Sequence, residues 1–183
     1  MKRSDFWQEN CVPLEEFVRM SHAAAARVDY IQGGGGNTSV KVNGGLMAIK
    51  ASGFSMGDIE EDNAYAVLDG AALREFYTSA NPAELEDVEA TGAAAAKAAT
   101  LPLEGMAPLR PSVEAGFHSI LDKFVLHTHS VYANLAACSE TGKNAFAEAM
   151  EGAPYGWAVV PYVDPGARLT FTILETLRKG ELE

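Results

Sequence analysis

Apolar residues recur at helical spacing over residues 14–28, LEEFVRMSHAAAARV, and the pattern stops at four consecutive glycines, Gly33 to Gly36. Two short runs follow, 38–42 and 46–50, separated by Asn43-Gly44-Gly45. An Asn-Gly pair between such runs is a hairpin signal, so an antiparallel pair of strands is expected, closed by Ala51-Ser52-Gly53. Helical stretches are expected at 58–60, 70–77 and 85–99. In the last, GAAAAKAA favours helix strongly and reads as a surface or subunit-packing helix. The proline-rich LPLEGMAPLRPS is a loop leading into a helix at 113–121, with Ser112 as candidate N-cap. FVLHTH, 124–129, reads as a buried strand with a polar end. Helices at 131–138 and 143–150, a strand at 157–160 and a helix at 169–179 complete the pattern. Strands alternating with helices, together with a hairpin, predict an α/β or α+β layered fold. No internal repeat or disordered linker interrupts it, so a single domain over 1–183 is expected.

Composition narrows the partners. The chain has 183 residues, 48% apolar and 21% charged, which is ordinary for a globular protein with a real core. A formal charge of −11 with no basic stripe argues against nucleic acid, so any anion must be bound locally. No apolar run reaches the length of a transmembrane helix, and MKRSDFWQEN lacks the apolar stretch of a signal peptide. No membrane partner and a cytoplasmic location are therefore expected. Cys11 and Cys138 lie far apart outside any CxxC, so neither a disulfide framework nor a thiolate zinc site is indicated.

Four glycines in a row need a reason. Glycine reaches positive φ and permits close backbone approach, and successive N–H groups in such turns form anion-binding nests. The known nucleotide signatures fail here. A dinucleotide fingerprint would need glycine at Thr38 or Ser39, and a Walker A loop would need lysine where Asn37 follows Gly36. Lys41 and Lys50 would supply positive charge, although strand-edge lysines are expected to be solvated.

The segment LHTHS carries the most chemistry. Residues i and i+2 of a strand share a face, so His127 and His129 can present two imidazoles to one divalent ion. Two histidines that merely alternate at a strand end are the competing reading. Upstream, RPSVEAGFH places Glu114 in the first turn of a predicted helix, where a carboxylate suits the dipole and also suits a general acid or base. His118 shares that face, as a spare ligand or, more simply, a core histidine bonded to backbone.

In order along the chain, GGGGNTS, ASG, RPSVE, LHTHS and VPYVDPGARL resemble the class II sugar-phosphate aldolase and adducin family, with RPSVE closest to the rhamnulose-phosphate aldolase-like branch. The resemblance implies a central, mainly antiparallel sheet flanked by helices, assembled as a homo-oligomeric tetramer. It implies zinc or another divalent metal on His127 and His129, Glu114 as catalytic acid/base, and a phosphorylated sugar substrate. Its phosphate would sit on Gly36, Asn37, Ser52, Gly53 and Ser112; Val113 replaces a second serine of the family. The implied reaction is reversible retro-aldol cleavage of a ketose 1-phosphate to dihydroxyacetone phosphate and an aldehyde, with Tyr155 or Tyr162 assisting. Pentulose-phosphate 4-epimerisation and a non-catalytic, adducin-like assembly module are the alternatives, along with an aldolase half of a fused oxidoreductase. The family takes a third zinc histidine from beyond the YVDPG region, whereas no histidine follows His129 and His22 matches no ligand position. The chain is thus expected to be a C-terminally shortened relative, to complete its site with Glu114, His118, water or another subunit, or to be inactive.

Overall fold

The hairpin forms the middle of the sheet. In the computed structural model, which describes residues 1–180, β1 (Asn37–Lys41) and β2 (Leu46–Lys50) pair antiparallel through a turn in which Gly44 and Gly45 take φ of 71° and 76°. β3 (Tyr65–Asp69) adds to β2, β4 (Thr100–Leu101) to β3, and β5 (Phe124–His127) to the other side of β1. The order is β4-β3-β2-β1-β5, antiparallel throughout.

Helices cover both faces, because the strands bury alternate residues on each. On one face Met47, Ile49, Ala66 and Leu68 meet Leu73 and Tyr77 of α3 (Gly70–Ser79), Val88 of α4 (Val88–Ala99), Phe117 of α5 (Ala115–Ile120) and Ala167 of α8 (Ala167–Lys179). On the other, Val40, Ala48, Tyr65 and Val67 meet Phe6 of α1 (Arg3–Glu9) and Leu14 and Phe17 of α2 (Cys11–Ala25). Phe6, Leu14 and Phe17 are fully buried, each contributing about 1.5–3 kcal/mol of transfer free energy. Within β1 the alternation carries polarity instead: Asn37, Ser39 and Lys41 all bond the segment 112–122 that contains α5, while Thr38 bonds Ser21 of α2 on the opposite face.

The layered fold agrees with the expectation, and several elements differ in detail. Residues 157–160 form no strand: prolines 154, 161 and 165 bracket the run, and Trp157 packs its ring on Phe146 of α7 (Gly142–Ala149), centroids 5.4 Å apart. The expected helix at 58–60 is a short 3₁₀ turn, Met56–Asp58, held by a Ser55/Asp58 capping box. α4 starts at Val88 because Asp87 accepts a bond from the Ala90 N–H, and its small-residue stripe packs within the chain, with Gly92 against Ala167 and Tyr77. β5 stops at His127 and, as an edge strand, leaves Phe124 and Leu126 partly exposed; α6 (Val131–Ala137) follows. Among the described residues no helix is long and apolar enough to cross a membrane.

Candidate active site

Four of the segments singled out by sequence, GGGGNTS, ASG, RPSVE and LHTHS, converge at the ends of β1, β2 and β5. Pro111 bridges Ala51, and the Ser52 N–H donates to the Arg110 carbonyl at 2.8 Å, so the RPSVE turn is pinned to the ASG turn. Ser112 and Glu114 are thereby carried over β1, both nearly buried. α5 begins two residues later than expected, at Ala115: Glu114 is its N-cap residue, and Ser112 Oγ accepts the Glu114 N–H at 3.3 Å. β1 and β5 place Asn37 directly opposite His127, on the face that carries Val125 into the core. His129 lies just past the strand, its ring 4.9 Å from that of His127 and tilted by 62°.

Two of the four glycines are required by contact. Gly36 has φ +67°, and a Cβ there would stand 2.6 Å from Ile31 Cδ1 and 2.7 Å from the His127 carbonyl oxygen. At Gly35 a Cβ would stand 2.7 Å from His129 Nδ1. The bare loop thus lets the backbone lie directly against both histidines.

Hydrogen bonds order the polar groups. Asn37 Nδ2 donates to Glu114 Oε2 at 2.6 Å and to Ser112 Oγ at 3.1 Å. His127 Nδ1 lies 3.0 Å from the same Glu114 oxygen; a carboxylate accepts only, so Nδ1 carries the proton and Nε2 is left for a ligand. Burial pushes the Glu114 carboxyl up, but the His127 hydrogen bond and charge and the Asn37 amide outweigh it, holding the group below its ordinary range. Burial and the neighbouring His127 lower His129, against the opposing pull of Glu114.

Three residues lie otherwise than expected. The Lys41 ammonium is half-buried, not solvated, and donates to the carbonyls of His118 and Asp122; burial lowers its pKa to about 8. Lys50 is buried, not solvated: its ammonium donates to the Phe54 carbonyl at 2.6 Å and reaches the carbonyls of Gly34 and Ala51 at 3.4 Å, tying the glycine loop to the ASG turn. Burial lowers its pKa, opposed by Asp58 and Glu114. The sequence signal was a lysine closing an apolar run immediately before a small-residue turn. His118 is a core histidine but bonds side chains, Asn37 and Ser39, in place of backbone. Ser39 escaped notice because its partner is 79 residues away.

The remaining candidates lie outside this hydrogen-bonded cluster. Val113 is 70% exposed, and Gly53 takes φ +90° in an open turn. Tyr155 lines a separate hollow with residues of 147–157, and Tyr162 stands 90% exposed with its hydroxyl toward Asp164. His22 bonds the Ile59 carbonyl. A divalent metal fits the donor chemistry at two points: His127 Nε2, with the Nδ1–H to carboxylate bond typical of a metal-ligating histidine, and the His129 imidazole beside it. Among the described residues no group of three or more His, Cys, Asp or Glu is arranged to hold one.

The layered α+β domain thus brings paired imidazoles, a buried carboxylate and a bare glycine loop to one place. Residues 15–182 match the Class II Aldolase and Adducin N-terminal domain family, and the chain belongs to it. The fold is similar to the N-terminal class II aldolase domain of a conserved protein from Thermoplasma acidophilum, with a TM-score of 0.74, 21% identity, and 92% of this chain and 76% of that one covered. It is also similar to YgbL of Escherichia coli, with a TM-score of 0.54, 17% identity and coverage of 89% and 69%. At these identities the likeness is one of fold. A search of curated proteins gave no match.

Proposed function

We propose that this chain is a divalent-metal-dependent aldehyde-lyase that reversibly cleaves a ketose 1-phosphate to dihydroxyacetone phosphate and an aldehyde. The observation that carries the reading is the buried Glu114 carboxylate, one oxygen held by Asn37 and His127, the other making no bond to either, beside the paired imidazoles. When bound by His127 and His129, a metal such as zinc supplies Lewis-acid polarisation of the substrate oxygens. Glu114 then has one task. In cleavage the C4 hydroxyl proton passes to the Glu114 carboxylate as C4 becomes the aldehyde and the C3–C4 bond breaks with its electron pair on C3; Glu114 then delivers that proton to C3, and condensation runs the same transfers in reverse. The substrate phosphate is assigned to the loop at Gly36 with Ser52, Gly53 and Ser112, near the Lys50 ammonium. An anion that recruits the Asn37 side chain must compete with Glu114 and Ser112 for its amide.

The carboxylate–imidazole pair also supports catalysis over a purely structural, assembly role, since a buried charge is costly to keep. The test is a screen of ketose 1-phosphates with zinc-loaded protein, scored for dihydroxyacetone phosphate. Cleavage that falls by about 10²-fold or more in Glu114→Gln supports the reading. A 4-epimer in place of two fragments, or cleavage that survives both Glu114→Gln and His127→Ala, refutes it.

A further inference from the structure

His118 is fully buried, four residues beyond Glu114; its backbone N–H donates to the Glu114 carbonyl at 3.4 Å, but its side chain hydrogen-bonds neither the Glu114 carboxylate nor the imidazole pair. Its two ring nitrogens are both engaged by β1: Nδ1 with Ser39 Oγ at 2.7 Å, and Nε2 with Asn37 Oδ1. The pattern of donors can be solved from its outer end. Glu114 accepts only, so the Asn37 atom facing it is the amide nitrogen. The Asn37 oxygen therefore faces His118, which must donate from Nε2. Nδ1 is then the acceptor, filled by the Ser39 hydroxyl.

We propose that His118 is a positioning residue: as the Nε2–H tautomer it locks the Asn37 amide with its nitrogen toward Glu114, and so fixes which carboxylate oxygen is held and which is free to move the proton. The inference rests on the functional reading above for its kinetic consequence alone. Physically, rotating the amide would set two acceptors, Asn37 Oδ1 and Glu114 Oε2, against each other at the present 2.6 Å and would strip Ser112 of its donor. With Nε2–H donating to Asn37, that rotation would also set the Asn37 amide nitrogen against the His118 N–H, so it would require His118 to change tautomer as well. At each link of the chain Ser39, His118, Asn37, Glu114, His127 a donor faces an acceptor, and among the described residues no buried side-chain nitrogen or oxygen lacks a partner. Phe117 supports the same arrangement sterically, stacking on the His118 ring at 4.6 Å and meeting the His127 ring edge-on at 5.6 Å.

The test has two readouts on the full chain. First, ¹⁵N NMR of the ring nitrogens at neutral pH should show His118 protonated at Nε2 and bare at Nδ1; the opposite tautomer overturns the proposal. Second, in a double-mutant cycle His118→Leu should lower kcat by about 10–100-fold with KM within about twofold, as for loss of an outer-shell partner. In an Asn37→Ala background the same change should cost less than about twofold, because nothing remains for His118 to orient. His118→Gln, whose amide can still donate toward Asn37, should recover much of the rate and guards against a Leu variant that fails to fold. Equal losses in both backgrounds, or no recovery in a folded Gln variant, would overturn the proposal. Should the wild type cleave nothing, the functional reading falls, while the tautomer still decides the orientation of Asn37.

Discussion

Replacing Gly36 by alanine should damage the fold and the site together, and Gly33→Ala provides the internal control. Both residues have positive φ, 67° and 55°, a region that costs a non-glycine residue roughly 1–2 kcal/mol. They differ in surroundings. A Cβ at Gly33 meets nothing within 4 Å, whereas at Gly36 it falls 2.6 Å from Ile31 Cδ1 and 2.7 Å from the His127 carbonyl oxygen. Ile31 can turn its side chain, but the His127 oxygen is backbone, so β5 and the loop must separate. Overpacking of this kind adds roughly 1–3 kcal/mol. Urea denaturation with linear extrapolation should therefore give a loss of about 2–5 kcal/mol for Gly36→Ala against about 1–2 for Gly33→Ala. In thermal melts a domain of this size shifts by about 2–4 °C per kcal/mol. Displacing the His127 backbone should also abolish metal uptake in Gly36→Ala while Gly33→Ala keeps it. A Gly36→Ala protein no less stable than Gly33→Ala, with metal uptake intact, would refute the claim that the glycine run exists to let the loop lie against the histidine strand.

Further expectations follow from buried groups. Burial first, then the charges of His127 and Lys41, holds the His118 imidazole well below its usual range, so the folded state stays neutral where the unfolded chain takes up a proton. Its contribution is full above the unfolded pKa and is lost as pH falls below about 6.5, amounting to about 1.4 kcal/mol between pH 7.5 and 5.5. Urea titrations at those two pH values should show a smaller loss in His118→Gln; equal losses would contradict a neutral buried imidazole. Lys50→Met leaves the Phe54 carbonyl without its ammonium donor and should cost about 1–3 kcal/mol, where a change under about 0.5 would mean that the ammonium pins nothing. Glu89 accepts the N–H groups of Ala167 and Arg168 at 2.8 and 2.9 Å; Glu89→Ala should cost about 0.5–2 kcal/mol and speed amide exchange at the start of α8, and unchanged exchange there would deny it a capping role.

What the sequence made legible followed local rules. The hairpin announced itself through Asn43-Gly44, and the polar tail of FVLHTH marked where a strand leaves the core. β3 was missed because its first four residues, YAVL, are all buried between β2 and β4, which erases the period-two alternation that identifies a half-buried strand. The expected strand at 157–160 failed for the opposite reason: an apolar run alone does not make a strand when prolines flank it and no sheet edge receives it. At the site, His127, His129 and Glu114 were visible as chemistry-bearing residue types at suggestive spacing. The environments of Lys50 and His118 were not, because the carbonyls around Lys50 come from two loops and the partners of His118 lie 79 and 81 residues away. Such contacts depend on tertiary structure, which no local pattern encodes.

The central claim, that Glu114 moves a proton at a carbon beside a polarised carbonyl, can be tested without knowing the sugar. Zinc-loaded protein is incubated with dihydroxyacetone phosphate in D₂O, and deuterium entering the hydroxymethyl carbon next to the carbonyl is followed by NMR. Stereospecific exchange of one hydrogen, lost in Glu114→Gln and in His127→Ala, is the result predicted here. Absence of exchange in the wild type, or exchange that persists in Glu114→Gln, would contradict the assignment.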